Sequence, residues 1–207
     1  MRKRWTTFFI FIVFGFITSN SILAVTSQSP VSMIQSVANR LTARLAQHKA
    51  TLRSRRADQF IHQQVNVIIV PKVNVKYMAQ SVVGRYYWNQ ATPSQRQAFI
   101  REFKRLVISN YSAALASYND DRVKVYPLRT STWKTSPIVT VKSVIIRKNG
   151  QTIPINYILS KTNGSWRIND FSIENVSMIG SYRSQFAGTL SQGGLAHLLT
   201  EIRSRNV

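Results

Sequence analysis

Residues 92–118, TPSQRQAFIREFKRLVISNYSAALASY, restrict the fold more than any other stretch of this chain. Thr92 is placed to cap a helix, and Pro93 takes the first helical position, where its missing N–H costs nothing. Gln95 stands where a capping box needs it. Phe99, Phe103, Leu106, Val107, Tyr111, Ala114, Leu115 and Tyr118 then recur at helical spacing as a broad apolar stripe. Arg96, Arg101, Glu102, Lys104 and Arg105 fall largely on the other side. A stripe this long needs a partner surface. The chain after residue 121 changes to strand periodicity, so this helix is expected to lie on a sheet.

Upstream, Ser29 and Pro30 open a helix that carries Ile34, Val37, Ala38, Leu41 and Leu45 to about His48. The basic segment TLRSRRADQ reads as a turn into a second helix with Phe60, Ile61, Val65, Ile68 and Ile69 as its apolar positions. VNVIIV is β-branched enough to suit a strand as well, and Pro71 ends the segment. Val75, Met78, Ala79, Val82 and Val83 mark another helix, with Gly84 near its end. The adjacent Tyr86, Tyr87 and Trp88 cannot share one helix face.

Downstream, Asn119, Asp120 and Asp121 close the long helix. RVKVYP alternates until Pro127 stops it, residues 128–137 form a loop holding Trp133, and a second strand spans 138–147. Asn149 and Gly150 signal a two-residue hairpin turn. TIPINYILSK sends Ile153, Ile155, Tyr157 and Leu159 to one face, and Pro154 suits an edge or a bulge. Asn163 and Gly164 turn the chain into a fourth strand, SWRINDFSI. A short helix over 182–190, a break at Gly193 and Gly194, and a last helix with Leu195, Leu198, Leu199 and Ile202 follow. The fold class is α+β: N-terminal helices packed on a four-stranded antiparallel meander, with short C-terminal helices.

The first residues are a different kind of sequence. MRKR is a basic start, WTTFFIFIVFGFI an apolar core and TSNSILA a small-residue exit, which together read as a secretory signal peptide. The apolar core is about 13 residues long, short of the roughly 20 needed to span a bilayer comfortably. Cleavage after Ala24 is expected, with cuts near Ser19 or Ser21, or an uncleaved anchor, as alternatives. The layout is then a leader over 1–24 and one domain over 25–207. Cysteine is absent from the sequence, so neither disulfides nor thiol chemistry enters.

The chain has 28 basic residues against 7 acidic ones, a net charge of +21. That balance invites a nucleic-acid reading, which export opposes. The densest run is Arg40, Arg44, Lys49, Arg53, Arg55 and Arg56, ahead of the first acid, Asp58. It reads either as a solvated helix face or as a surface for anionic headgroups or an acidic partner, with Arg53, Arg55 and Arg56 as the docking candidates.

Catalytic signals are weak. His48, His62 and His197 fall in separate helices without metal-ligand spacing. Asp170 and Glu174 have no nucleophile nearby in sequence, and no phosphate loop or nucleophile-elbow motif occurs. A hydrolase would need a site assembled only by tertiary contact. An exported basic scaffold for an anionic partner is a second alternative. Amphipathic helices and a curved sheet rich in aromatic residues fit best a non-enzymatic carrier that encloses something apolar.

Two blocks carry a resemblance. Residues 84–118, GRYYWNQATPSQRQAFIREFKRLVISNYSAALASY, followed by VKVYP at 123–127, resemble the signature region of the MlaC family of toluene-tolerance or phospholipid-transport auxiliary proteins. Residues 166–199, with Trp166, Asp170, Val176, Ser177, Tyr182, Arg183, Phe186 and the glycine pair, are similar to the family's closing segment. Asn175 stands where glycine is common, and the 40–56 stretch is unusually basic. The resemblance implies a monomeric periplasmic shuttle that carries phospholipid between an outer-membrane lipoprotein complex and an inner-membrane ABC transporter with its membrane-anchored substrate-binding subunit. Outer-membrane lipid asymmetry is its purpose. It implies no cofactor beyond the lipid cargo, no metal, no nucleic acid and only transient membrane proximity. Acyl tails are then expected against Phe103, Val107, Tyr111, Leu115, Ile155, Tyr157 and Trp166, with Met178, Tyr182 and Phe186 near a mouth or lid.

Overall fold

The computed structural model describes residues 28–129 and 131–205; the expected leader over 1–24 lies outside the described residues. Helix α1 (Pro30–Gln47) starts as expected, Ser29 accepting from the Ser32 N–H at 3.0 Å. Two short helices follow, α2 (Lys49–Leu52) and α3 (Ala57–Gln64). The ambiguous VNVII segment is no strand: it continues α3 as a π-helical turn over Val65–Ile69, then a 3-10 turn over Val70–Lys72. The wider π turn carries Val65 and Ile68 inward and leaves Val67 59% exposed. Next come α4 (Val75–Val83) and α5 (Arg85–Gln90), separated by Gly84 at φ +80. Of the three adjacent aromatics in α5, Trp88 is buried and Tyr86 is 68% exposed.

Helix α6 (Pro93–Ala116) has the full capping box: Thr92 Oγ1 accepts from the Gln95 N–H at 3.2 Å, and Gln95 Oε1 accepts from the Thr92 N–H at 2.8 Å. Its burial is broader than one stripe. Phe99 and Phe103 are fully inside, and Ile108, Ser112 and Glu102 are also buried, whereas Ala114 is exposed. The reason is tertiary. The first half of α6 packs with α4 and α7, and its second half faces α3, so two different faces are covered.

The sheet is antiparallel in the order β1 (Arg122–Val125), β2 (Ile138–Ile146), β3 (Thr152–Thr162), β4 (Ser165–Ile173) and β5 (Val176–Ser177). The fifth strand, of two residues, extends the expected four-strand meander. It pairs with the end of β4 through a turn in which Glu174 and Asn175 both have positive φ, 50 and 67°. Asn tolerates that left-handed position, which accounts for its standing where glycine is common. The turn at Asn163 and Gly164 has the two residues expected, between paired Thr162 and Ser165. The turn at Asn149 and Gly150 does not. Arg147 still pairs with Gln151, its N–H donating to the Gln151 carbonyl at 2.8 Å, so Lys148, Asn149 and Gly150 form a three-residue loop with Gly150 at φ +86.

Pro154 also departs from expectation, because β3 is the central strand. The Pro154 carbonyl accepts from the Glu174 N–H at 3.0 Å. In an antiparallel strand a residue's N–H and C=O point the same way, so the missing donor falls beside the turn beyond β4. The sheet's irregularity lies instead between Ile158 and Leu159, where Asn169 is the extra residue on β4.

The closing segment α7 (Met178–Arg205) starts earlier than expected and is two helices meeting at the glycine pair, the break the sequence predicts, with non-helical backbone at Gly193 and Gly194. Gly194 has φ +61, and a Cβ on Gly193 would sit 2.6 Å from that of His197, so both positions require glycine. The interior forms three clusters. The first joins α4, α5, α6 and α7 around Phe99 and Phe103; the second joins α1 to β2, β3 and β4; the third gathers α1, α2, α3 and the end of α6 around Ile61.

Candidate functional site

Register places the inward residues of the sheet in rows. Val139, Leu159 and Ile168 form the first, 8, 0 and 5% exposed, sealed by Met33 and Ile34 of α1. Val141, Tyr157 and Phe171 form the second; Ser143, Ile155 and Ile173 the third; Ile145 and Ile153 the fourth. Among the apolar side chains burial falls along this series, whereas Ser143 of the third row is only 2% exposed. Val141 is fully buried, Tyr157 and Phe171 partly, and Ile145, Ile153, Ile155 and Ile173 are all partly open and belong to none of the three buried clusters. One end of the inner face is therefore solid core, and the other is a wall of four isoleucines that stay partly open.

Helix α6 reaches that wall at the second row. The Tyr111 and Phe171 rings meet edge-on with centroids 5.3 Å apart, and Val107 lies one turn earlier. Tyr157 sits deep enough that burial pushes its phenol pKa above the ordinary 10.0, partly offset by a hydrogen bond with Ser143. It nonetheless keeps open surface.

Helix α7 is fixed at its start by a buried carboxylate. Asp170 accepts from the Phe171 N–H at 2.8 Å, the Ile179 N–H at 3.2 Å and the Ser177 hydroxyl at 2.6 Å. Ser177 in turn accepts from the Gly180 N–H at 3.0 Å, so the start of α7 has both a cap and a negative charge. Desolvation, and then the Asp170 charge, push the Tyr111 phenol pKa up. Asp170 is thus committed to fold geometry rather than to acid–base work. Among the described residues no group of three or more His, Asp or Glu side chains could hold a metal ion.

The expected tail-binding residues divide. Phe103, Val107, Tyr111, Met178, Tyr182 and Phe186 share the first cluster, Tyr157 and Trp166 the second, Leu115 the third, and Ile155 stands on the open wall. Phe103, Met178, Tyr182 and Phe186 are only 1, 1, 4 and 3% exposed. Tyr182 lies between the rings of Phe103 and Phe186, with its oxygen accepting from Asn110 Nδ2 at 2.7 Å. Those four and Trp166 are packed, while Val107, Tyr111, Leu115, Ile155 and Tyr157 are partly open. The sequence reading does not group Ile145, Ile153, Phe171 and Ile173 with the expected tail-binding residues. Their alternation is visible in the sequence, but only register puts them in one patch with Ile155.

Helices thus cover an antiparallel meander whose inner face is sealed at one end and keeps a partly open apolar patch at the other. The MlaC protein family model matches residues 35–204, and the chain belongs to that family. It is 26% identical to the toluene tolerance protein ttg2D of Pseudomonas putida over 173 residues, covering 84% of this chain and 78% of that one. It is 22% identical to the intermembrane phospholipid transport system binding protein MlaC of Haemophilus influenzae over 204 residues, covering 97% and 92%. The fold is similar to that of a phospholipid-binding protein from Ralstonia solanacearum solved in complex with a phospholipid. The TM-score is 0.79 at 27% identity, over 86% of this chain and 97% of the other.

Proposed function

We propose that this protein is a periplasmic phospholipid carrier, without enzymatic activity of its own, that moves lipid between outer-membrane and inner-membrane transport complexes. The observation that carries this reading is the graded inner face of the sheet, sealed at Val139, Leu159 and Ile168 and open at Ile145, Ile153, Ile155 and Ile173. A chain that could bury four isoleucines under its own helices leaves about 25 cal/mol per Å2 of apolar surface unclaimed by leaving them open, and an acyl chain recovers it. Burying roughly ten methylenes at about 0.8 kcal/mol each contributes about 8 kcal/mol relative to water, before the cost of association is subtracted. The phospholipid held by the Ralstonia relative supports the same ligand class.

Within this reading the tails lie along Ile155, Tyr157, Tyr111 and Val107, in contact with Ile145, Ile153 and Ile173. Leu115 extends the wall toward α3, and Phe103, Trp166, Met178, Tyr182 and Phe186 back it as packed support. The exposed Arg53, Arg55 and Arg56, between α2 and α3, face anionic membrane surface during loading and delivery. The membrane partners are an outer-membrane lipoprotein complex and an inner-membrane ABC transporter with a membrane-anchored lipid-binding subunit. The leader over 1–24 would direct export, leaving a working domain over 25–207. Transfer of labelled phospholipid from donor to acceptor vesicles tests the reading. Transfer proportional to protein concentration supports it, and transfer no faster than spontaneous exchange contradicts it.

A further inference from the structure

A groove of about 590 Å3 opens between α4, α5 and α7, and none of the proposed tail-binding side chains lines it. Its walls include Tyr77, Ser81, Arg85, Asn89 and Arg183 and contain no carboxylate. Arg183 is fixed in place: its Nε and Nη2 donate to the Ser81 carbonyl at 3.2 and 2.6 Å, leaving the Nη1 edge for a ligand. Gly84, at φ +80, breaks α4 from α5 and brings Arg85 to the same opening. The helices behind the groove are rigidly packed, with Met78, Ala79, Val82, Val83 and Tyr182 at 4% exposure or less. The site is therefore preorganised. Two aromatic side chains stand open at or beside it, Tyr77 at 46% and Tyr86 at 68% exposure.

We propose that this groove is a protein-docking site that receives an acidic segment of a partner, with a carboxylate held between Arg85 and Arg183 and flanked by Tyr77 and Tyr86. The donor-rich, acid-free walls select an anion. Open tyrosines beside arginines are the side-chain types that anchor protein interfaces. A concave groove admits a protruding chain segment, whereas a planar headgroup layer would bridge its rim. The inference stands apart from the lipid reading, because the groove and the isoleucine wall share no residue. It also differs from the Arg53, Arg55 and Arg56 surface, which carries no exposed aromatic.

The test is an NMR titration of the full exported chain with a short capped peptide of Glu, Asp and one Tyr. Its Gln/Asn counterpart, inorganic phosphate and phosphatidylglycerol vesicles serve as comparison probes. The acidic peptide should shift amides at 77–89 and around 183, and the neutral peptide should not. Arg85→Gln should weaken binding about tenfold, as expected for an interface anchor. Tyr77→Ala, at an exposed rim position, should weaken it without lowering the melting temperature. The triple change of Arg53, Arg55 and Arg56 to Gln should leave this binding in place. Shifts centred on 53–56, or unchanged affinity in Arg85→Gln and Tyr77→Ala, would overturn the proposal. So would phosphate competing as well as the peptide, which would mark a small-anion site, or vesicles shifting the same amides, which would mark a membrane contact.

Discussion

Tyr111 on α6 and Phe171 on β4 meet edge-on, 5.3 Å between ring centroids, at the boundary between the sealed and the open part of the sheet's inner face. To one side lie Val141 and the row of Val139, Leu159 and Ile168; to the other lie Ile155, Ile173, Ile145 and Ile153. The same two residues adjoin Asp170, which accepts the Phe171 N–H and whose charge adds to burial in raising the Tyr111 phenol pKa. The wall of the proposed lipid site and the anchor of α7 therefore share one junction.

Position along the inner face should decide how a bulky change is felt. Ile155→Trp, at a partly open position, is expected to lower bound lipid at little cost in stability. Val141→Phe enters solid packing and should cost about 1–3 kcal/mol by overpacking. Chemical denaturation and lipid content, measured on both variants, check this. Equal destabilisation by the two would remove the distinction.

Asp170→Asn keeps the shape of the side chain and removes its charge. Three donors currently point at that carboxylate, so the loss should be about 1.5–3 kcal/mol, the range for hydrogen bonds to a charged group. It should appear first as weakened amide protection at the start of α7. Unchanged protection there would show that α7 is held by its apolar face alone.

Alkaline stability follows from the phenols. Burial is the largest cause raising the pKa of Tyr157, and of Tyr182, above the ordinary 10.0. A raised phenol pKa means that folding favours the neutral form. The contribution is therefore intact below pH 10.0 and lost as pH climbs through 10.0 toward the folded-state value. Tyr157→Phe should move the onset of alkaline unfolding to higher pH, read by circular dichroism. An onset that moves to lower pH would contradict the assignment.

Changing Arg53, Arg55 and Arg56 together to Gln should weaken association with anionic vesicles more at low salt than at high salt, because exposed charges act through a screened field. Flotation with vesicles at two ionic strengths measures it. A loss independent of salt would point to damaged packing instead.

The helix α6 was legible from Thr92, Pro93 and Gln95 because capping is local chemistry, and the strands were legible from alternation. The inward positions Glu102, Ile108 and Ser112 were not, since they depend on α3 and α7 covering different faces of one helix. Nor was it legible that Phe103, Met178, Tyr182 and Phe186 pack on one another while Ile155 stays open. Both sets are apolar at regular spacing; only the register of β2, β3 and β4 and the placement of α1 over one end of the sheet separate core from wall. The groove at Arg85 and Arg183 joins residues 98 positions apart, beyond the reach of any local pattern.

The central claim is that the isoleucine wall is completed by a phospholipid. Gentle purification of the exported chain from a bacterial host, followed by native mass spectrometry and solvent extraction, tests it most directly. The account predicts near-stoichiometric phospholipid on the protein, displaced in Ile155→Trp and retained in the Arg53, Arg55 and Arg56 triple variant. Native protein carrying only trace lipid, and taking up none from vesicles, would contradict it.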